Sequence, residues 1–163
     1  MKQVDFITQK ILSFSEVAHR VKQWRVLGKK IAFTNGVFDI LHSGHIFSLS
    51  QAAKEADYLI VGLNADASVK RLKGDSRPVN AQDARALVLD SLLIVDAVVL
   101  FEQDTPLELI NIIMPDVLVK GGDYTIDQIV GAKEVIANGG RVVINPILEG
   151  FSTTDLINQI RKH

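Results

Sequence analysis

His42 and His45 stand three residues apart around Gly44 in the stretch FTNGVFDILHSGH, and the whole 163-residue chain has only four histidines. The stretch begins apolar, turns at Gly36 and carries Asp39 before the pair. If a helix starts at the second glycine, its free amides and its dipole favour an anion there. Two imidazoles at that point can donate hydrogen bonds to phosphate oxygens. A metal site is the rival reading. It needs more ligands than these two, and the remaining histidines, His19 and His163, fall in terminal helical segments. Gly36 lets the backbone turn or approach a ligand closely. Asp39 either orients local donors or a metal, or caps the helix.

Three further clusters carry chemistry-bearing side chains, and each follows an apolar run. LNADASVKRLKGDSRPVNAQDAR holds Lys70, Arg71, Lys73, Arg77 and Arg85 among small polar residues. As a loop it is either a solvated basic segment or a source of charge for phosphates. In VLVKGGDY the strand ends in Lys120, followed by two glycines and Asp123. It reads as a left-handed turn or as a close backbone approach to a base or ribose. EGFSTTDLI places Ser152, Thr153 and Thr154 at the start of a last helix, as a plain N-cap or as a second anion site. Asp155 suits a helix N-terminus but would have to point away from a bound phosphate.

The elements that must position these clusters alternate along the chain. KIAFTN, DYLIVGLN, DAVVLF, DVLVKGG and RVVINPI read as strands. HIFSLSQAAKEA, NAQDARALVLDSL, TPLELINIIM, TIDQIVGAKEVIANGG and STTDLINQIRKH read as helices, the third beginning near Pro106. Residues 1–30 read as an N-terminal helical element. Ser13 and Glu16 match a capping box, Val17, Val21, Trp24 and Leu27 recur at helical spacing, and Gly28 ends the pattern. The expectation is one α/β domain over residues 1–163, with a Rossmann-like core in 31–163: a five-stranded parallel sheet with helices on both faces. Ligands in such a sheet bind beyond the C-terminal strand ends, where the strand order reverses.

Composition narrows the class. Hydrophobic residues make up 47% and charged residues 23%, and the net charge of −1 gives no basic surplus for general nucleic-acid binding. Cysteine is absent, which excludes disulfides, thiolate metal sites and cysteine nucleophiles and fits a reducing compartment. No signal peptide or membrane span is expected from the apolar runs, so a cytoplasmic protein is anticipated.

GVFDILHSGH resembles the H-x-G-H signature of the nucleotidylyltransferase superfamily, in its cytidylyltransferase-like branch. KIAFTNGVFDILHSGH, LNADASVKRLKGDSRPVN, DTPLELINIIMPDVLVKGGDY and FSTTDLI together resemble the adenylyltransferases of ADP-heptose synthesis, which often form one half of a bifunctional chain with a sugar kinase. The resemblance implies transfer of AMP from ATP to D-glycero-β-D-manno-heptose 1-phosphate, for lipopolysaccharide core precursors. It implies Mg²⁺ with ATP, no dedicated protein metal site and a homo-oligomer, a dimer. By that resemblance Asn35, Gly36, Val37, Phe38, His42, Gly44, His45, Gly122, Asp123, Ser152, Thr153 and Thr154 hold the nucleotide. Lys73 and Arg85, with Arg77, hold substrate phosphates, and His42, His45, Lys73 and Arg85 form the catalytic set. Two departures bear on the choice of activity. Glycerol-phosphate cytidylyltransferases usually carry an arginine shortly before Ser-Thr-Thr, where ILEGFSTT has Glu149; this weighs against a CTP-dependent polyol-phosphate enzyme. Val37 stands where the heptose-type enzyme often has cysteine, at a position with no polar role. A non-catalytic nucleotide sensor is the third reading, and both histidines are present against it.

Overall fold

A computed structural model describes residues 9–122 and 124–146. The ends of the strands, not the helices, decide where chemistry can occur. A two-residue strand β1 (Ile11–Leu12) leads into α1 (Phe14–Val26), followed by β2 (Ile31–Gly36), α2 (Ser43–Ala53), β3 (Tyr58–Asn64), α3 (Asp66–Lys73) and α4 (Gln82–Asp90). Then come β4 (Ala97–Phe101), α5 (Leu107–Ile113), β5 (Val117–Gly121), a 3₁₀ turn (Ile126–Gln128), α6 (Ala132–Ala137) and β6 (Arg141–Asn145). The strands form one sheet in the order β1-β4-β3-β2-β5-β6, and every pairing is parallel.

The side-chain alternation of the strands builds two cores. Ile31 and Phe33 of β2 and Ile60 of β3 face α1, α5 and α6, where Val17, Val21, Leu109, Ile110 and Val135 are buried. Ala32, Leu59, Val61 and Leu63 face the other way, against Leu49 and Ala52 of α2 and Ala86 and Leu89 of α4. This period of two is what a parallel sheet covered on both faces requires. The chain runs from β2 to β3 on one side and reaches β5 on the other side of β2. The reversal of strand order therefore lies between β2 and β5, and the crevice opens at Gly36 and Gly121.

The sheet has six strands rather than the expected five. The addition, β1, lies inside the segment read as wholly helical. Two residues are too short to show a period, and Ile11 and Leu12 pair only with Val98 and Val99, far along the chain. Lys10 fixes the edge: its Nζ donates to the carbonyls of Asp90, Leu92 and Val95 at 2.9–3.0 Å. The helix that follows is as expected. Ser13 Oγ accepts from the Glu16 amide, Glu16 Oε2 accepts from the Ser13 amide at 2.8 Å, and Gly28 at φ +69° ends the run.

Two other segments differ. DASVKRLK, inside the segment read as a loop, is the short helix α3. Its buried face is only Ser68 and Val69, too little to show a helical period. The helix expected from TIDQIVGAKEVIANGG is split by Gly131 at φ +85°, where a Cβ would fall 2.6 Å from Ile110 Cδ1. Close packing against α5 requires glycine at that point, and the same backbone conformation ends the preceding turn. The closing helix read over STTDLINQIRKH lies outside the described residues. Among the described residues no helix is long and apolar enough to cross a membrane.

Candidate active site

A cavity of about 520 Å³ opens at the β2–β5 crevice. Asn35, Gly36, Val37, Phe38, Asp39, His45, Lys73 and Arg77 line it, all of them candidates from the sequence. Asn64, Thr105, Lys120 and Tyr124 complete much of the wall.

The β2–α2 turn is built around strain and close contact. Phe38 sits at φ +46°, a left-handed conformation uncommon for a side chain of that size. Its ring lies over Gly36, where a Cβ would come within 3.0 Å of Phe38 Cε2. The ring also meets His45 at 5.3 Å between centroids. His42 takes the N-cap position of α2, and its carbonyl accepts from the amides of His45 at 2.9 Å and Ile46 at 3.2 Å. The two imidazoles stack, with centroids 3.9 Å apart and planes 27° apart. His45 lines the cavity; His42, also expected to hold the nucleotide, does not and meets it only through the His45 ring. Burial, the neighbouring His42 and the Lys73 ammonium push the His45 pKa down to about 4, against a partial opposing effect of the Ile40 carbonyl. Burial lowers that of His42 as well. At neutral pH His45 is therefore an uncharged imidazole, and its Nδ1 is buried with no hydrogen-bond partner among the described residues. A buried polar atom left without a partner at a helix start marks a place for a ligand.

Asp39 is 3% exposed and does not cap α2. Its carboxylate accepts from the amides of Val79 at 2.8 Å and Asn80 at 2.9 Å and from Arg77 Nε at 2.7 Å. Burial opposes ionisation of this carboxyl. The two amides and the guanidinium outweigh it and hold the pKa below the usual carboxylate range. Asp39 thus fastens the 77–80 segment to the histidine turn, and Arg77 reaches the cavity already paired.

Of the three cations expected to hold phosphates, Lys73 and Arg85 part company. Lys73, at the exposed C-terminal end of α3, lines the cavity. Arg85 is 2% exposed and does not line it. Its Nε donates to Asn80 O at 2.9 Å, its Nη1 to Val37 O at 2.6 Å and Asn64 O at 2.9 Å, and its Nη2 to Asp66 Oδ1 at 2.7 Å. One guanidinium ties together the β2–α2 turn, the end of β3, the start of α3 and the 77–80 segment. Its placement sets it beneath the site, against the expectation that it meets phosphate directly.

Gly44 lies in the first turn of α2 and Gly122 is buried at φ +123°, its amide bonded to Asn145 O at 3.1 Å; neither lines the cavity. Asp123, Ser152, Thr153 and Thr154, together with Glu149 and Asp155, lie outside the described residues. Sequence reasoning passed over Lys120 as the end of a strand and missed Asn64 and Tyr124. The signal for Lys120 was a cation closing an otherwise apolar buried strand.

The model of the family described as cytidylyltransferase-like matches residues 33–159, which runs from within β2 through the histidine turn, Lys73 and Arg85 to β6 and beyond. The chain belongs to the cytidylyltransferase-like family. This makes it a nucleotidyltransferase, with the H-x-G-H turn at the mouth of a Rossmann-like sheet. Curated relatives include the bifunctional protein HldE of Acidiphilium cryptum, 53% identical over 94% of this chain and 32% of the relative. HldE of Rhodospirillum rubrum is 52% identical over 98% of the chain and 32% of the relative, and HldE of Rhodopseudomonas palustris 56% over 92% and 31%. The chain spans about a third of the length of these relatives. Among solved structures, a lipopolysaccharide core biosynthesis protein from Thermoplasma volcanium is 28% identical, with a TM-score of 0.59 over 74% of this chain and 98% of its own. A pantoate-β-alanine ligase from Francisella tularensis, 17% identical with a TM-score of 0.60 over 94% of this chain and 78% of its own, shares the fold.

Proposed function

We propose that this cytidylyltransferase-like chain transfers AMP from ATP to D-glycero-β-D-manno-heptose 1-phosphate, releasing pyrophosphate and forming ADP-heptose. The observation that carries the reading is identity of 52–56% to HldE proteins over more than nine-tenths of the chain. The relatedness to a lipopolysaccharide core biosynthesis protein supports the same pathway, and a cytoplasmic setting belongs to this reading.

The chemistry suits the cavity. A phosphate oxygen of the acceptor attacks the α-phosphorus, the new P–O bond forms, and the bond to the β-phosphate oxygen breaks as pyrophosphate departs. The nucleophile is already an anion at neutral pH, so no general base is needed. The obstacle is the crowding of negative charge, and the remedy is positioning with preorganised donors. His45 and the first amides of α2 receive phosphate oxygens of the nucleotide. An imidazole that is neutral when empty gains charge as the anion approaches, so its donor strength rises with occupancy. Lys73 meets phosphate at the open side, and Asp39 and Arg85 hold the turn and the 77–80 segment still. Mg²⁺ accompanies ATP in this reading and supplies charge neutralisation. In this reading the ion would be held through the nucleotide phosphates.

The test is incubation with ATP and heptose 1-phosphate, followed by mass spectrometry of the product. ADP-heptose and pyrophosphate are expected. Turnover with CTP and glycerol 3-phosphate instead would replace this reading with the polyol-phosphate one.

A further inference from the structure

We propose that Lys120 is the binding residue for the phosphate of the acceptor, on the flank of the cleft opposite His45. The inference rests on the transferase reading above and deepens it.

Side-chain alternation sets the flank. Leu118 of β5 packs in the core beneath α1, α5 and α6, and Val119 in the core beneath α2 and α4. Lys120, next in the alternation, therefore leans to the α5 and α6 side. Asn35 of β2 follows Phe33 on the same side, and Lys120 Nζ donates to Asn35 Oδ1 at 3.2 Å. His45 stands on α2, which covers the other face. Both residues line the one cavity, so the cleft has a histidine wall and a lysine wall. In-line displacement places the attacking oxygen and the departing pyrophosphate on opposite sides of the α-phosphorus. If the histidine wall and the α2 amides receive the triphosphate, the acceptor must enter from the lysine wall.

Lys120 is suited to an anion. It is half-buried, and among the described residues no carboxylate forms an ion pair with it, whereas the cavity's Asp39 and Asp104 are paired with Arg77 and Arg71. Its Nζ donates to a neutral amide oxygen, and the Tyr124 ring lies 5.9 Å away. Burial lowers its pKa, and an arriving phosphate would favour the charged form. The phosphate is the part of a sugar 1-phosphate that a lone ammonium recognises best.

Two measurements test this. In steady-state kinetics, Lys120→Met should raise KM for the sugar 1-phosphate at least tenfold while KM for ATP stays within threefold, and Lys120→Arg should restore part of the loss. A rise in KM for ATP alone, or no change in either, overturns the assignment. The second measurement does not need turnover. Acylation of Lys120 by an amine-reactive reagent, followed by peptide mass spectrometry, should be slowed by heptose 1-phosphate and not by ATP alone. Protection by ATP alone, or by neither, overturns it. If the wild type forms no ADP-heptose, the transferase reading fails on its own assay, while the protection pattern still decides what Lys120 binds.

Discussion

The end of α3 and the body of α4 each bring one cation toward the same cleft, and the structure gives them opposite surroundings. Lys73 is exposed and lines the cavity. Arg85 is buried, and three backbone carbonyls and the Asp66 carboxylate surround its guanidinium. A cation near a phosphate site can therefore serve the ligand or serve the loops that shape the site, and chemical type alone does not tell which. What tells is the supply of acceptors. Carbonyls left over where strands and turns end must be satisfied, and a planar fork of donors satisfies several at once.

The largest expected effect breaks this comparison at Arg85. Arg85→Ala strands the carbonyls of Val37, Asn64 and Asn80 and leaves Asp66 without its partner. Removal of one member of such a buried set should lower stability by about 3 kcal/mol, measured by urea denaturation. Arg85→Lys should recover little, because an ammonium cannot reach in four directions. Near-wild-type stability with a selective loss of phosphate affinity would return Arg85 to the ligand.

Next comes the histidine wall. His45→Ala should lower kcat by about 10²–10³-fold, the usual loss for one donor aimed at developing charge. ATP affinity should stay within about tenfold, and thermal stability should barely move, since the imidazole lines the cavity rather than either apolar core. His45→Asn should recover part of the rate. Unchanged kcat in His45→Ala would remove the imidazole from the transition state.

A smaller effect is expected at Lys73. Lys73→Ala should weaken phosphorylated substrates by about 1.5–3 kcal/mol, the value of a charge-assisted hydrogen bond. Stability should stay within about 0.5 kcal/mol, as at most exposed positions. Loss of stability without loss of affinity would make the two cations alike after all.

These contrasts explain how much could be read beforehand. The alternation of strands and helices was legible because both faces of the sheet are covered, so each strand is a short apolar run. The histidine turn was legible because glycines, a strand end and a helix start all lie within a dozen residues. The roles of Asp39 and Arg85 were not, since they depend on the 77–80 segment and on carbonyls that the chain brings together only on folding. β1 was hidden by its length, and α3 by the near absence of an apolar face. Lys120 was hidden by its setting, because a charge at a strand end reads as the place where the strand meets solvent.

The smallest expected effect concerns protons. The His45 pKa lies at about 4, below the ordinary histidine value of 6.5. The unfolded chain therefore holds more protons than the folded one between those values. The histidine's contribution favours the fold fully above pH 6.5 and is lost as pH falls toward 4. Nucleotide phosphates act in the opposite direction, raising the pKa of the imidazole they contact. Binding must then draw protons in, and ATP affinity must rise as pH falls between the bound and empty pKa values. ATP titrates in part of the same range, so the quantity to compare is wild type minus His45→Asn. Calorimetry of ATP binding at pH 6.5 in two buffers of different ionisation enthalpy should show a fraction of a proton more taken up by the wild type. Equal uptake, or net release, would mean that the phosphates settle beyond reach of His45, and the histidine wall would then be an element of structure like Arg85 beneath it.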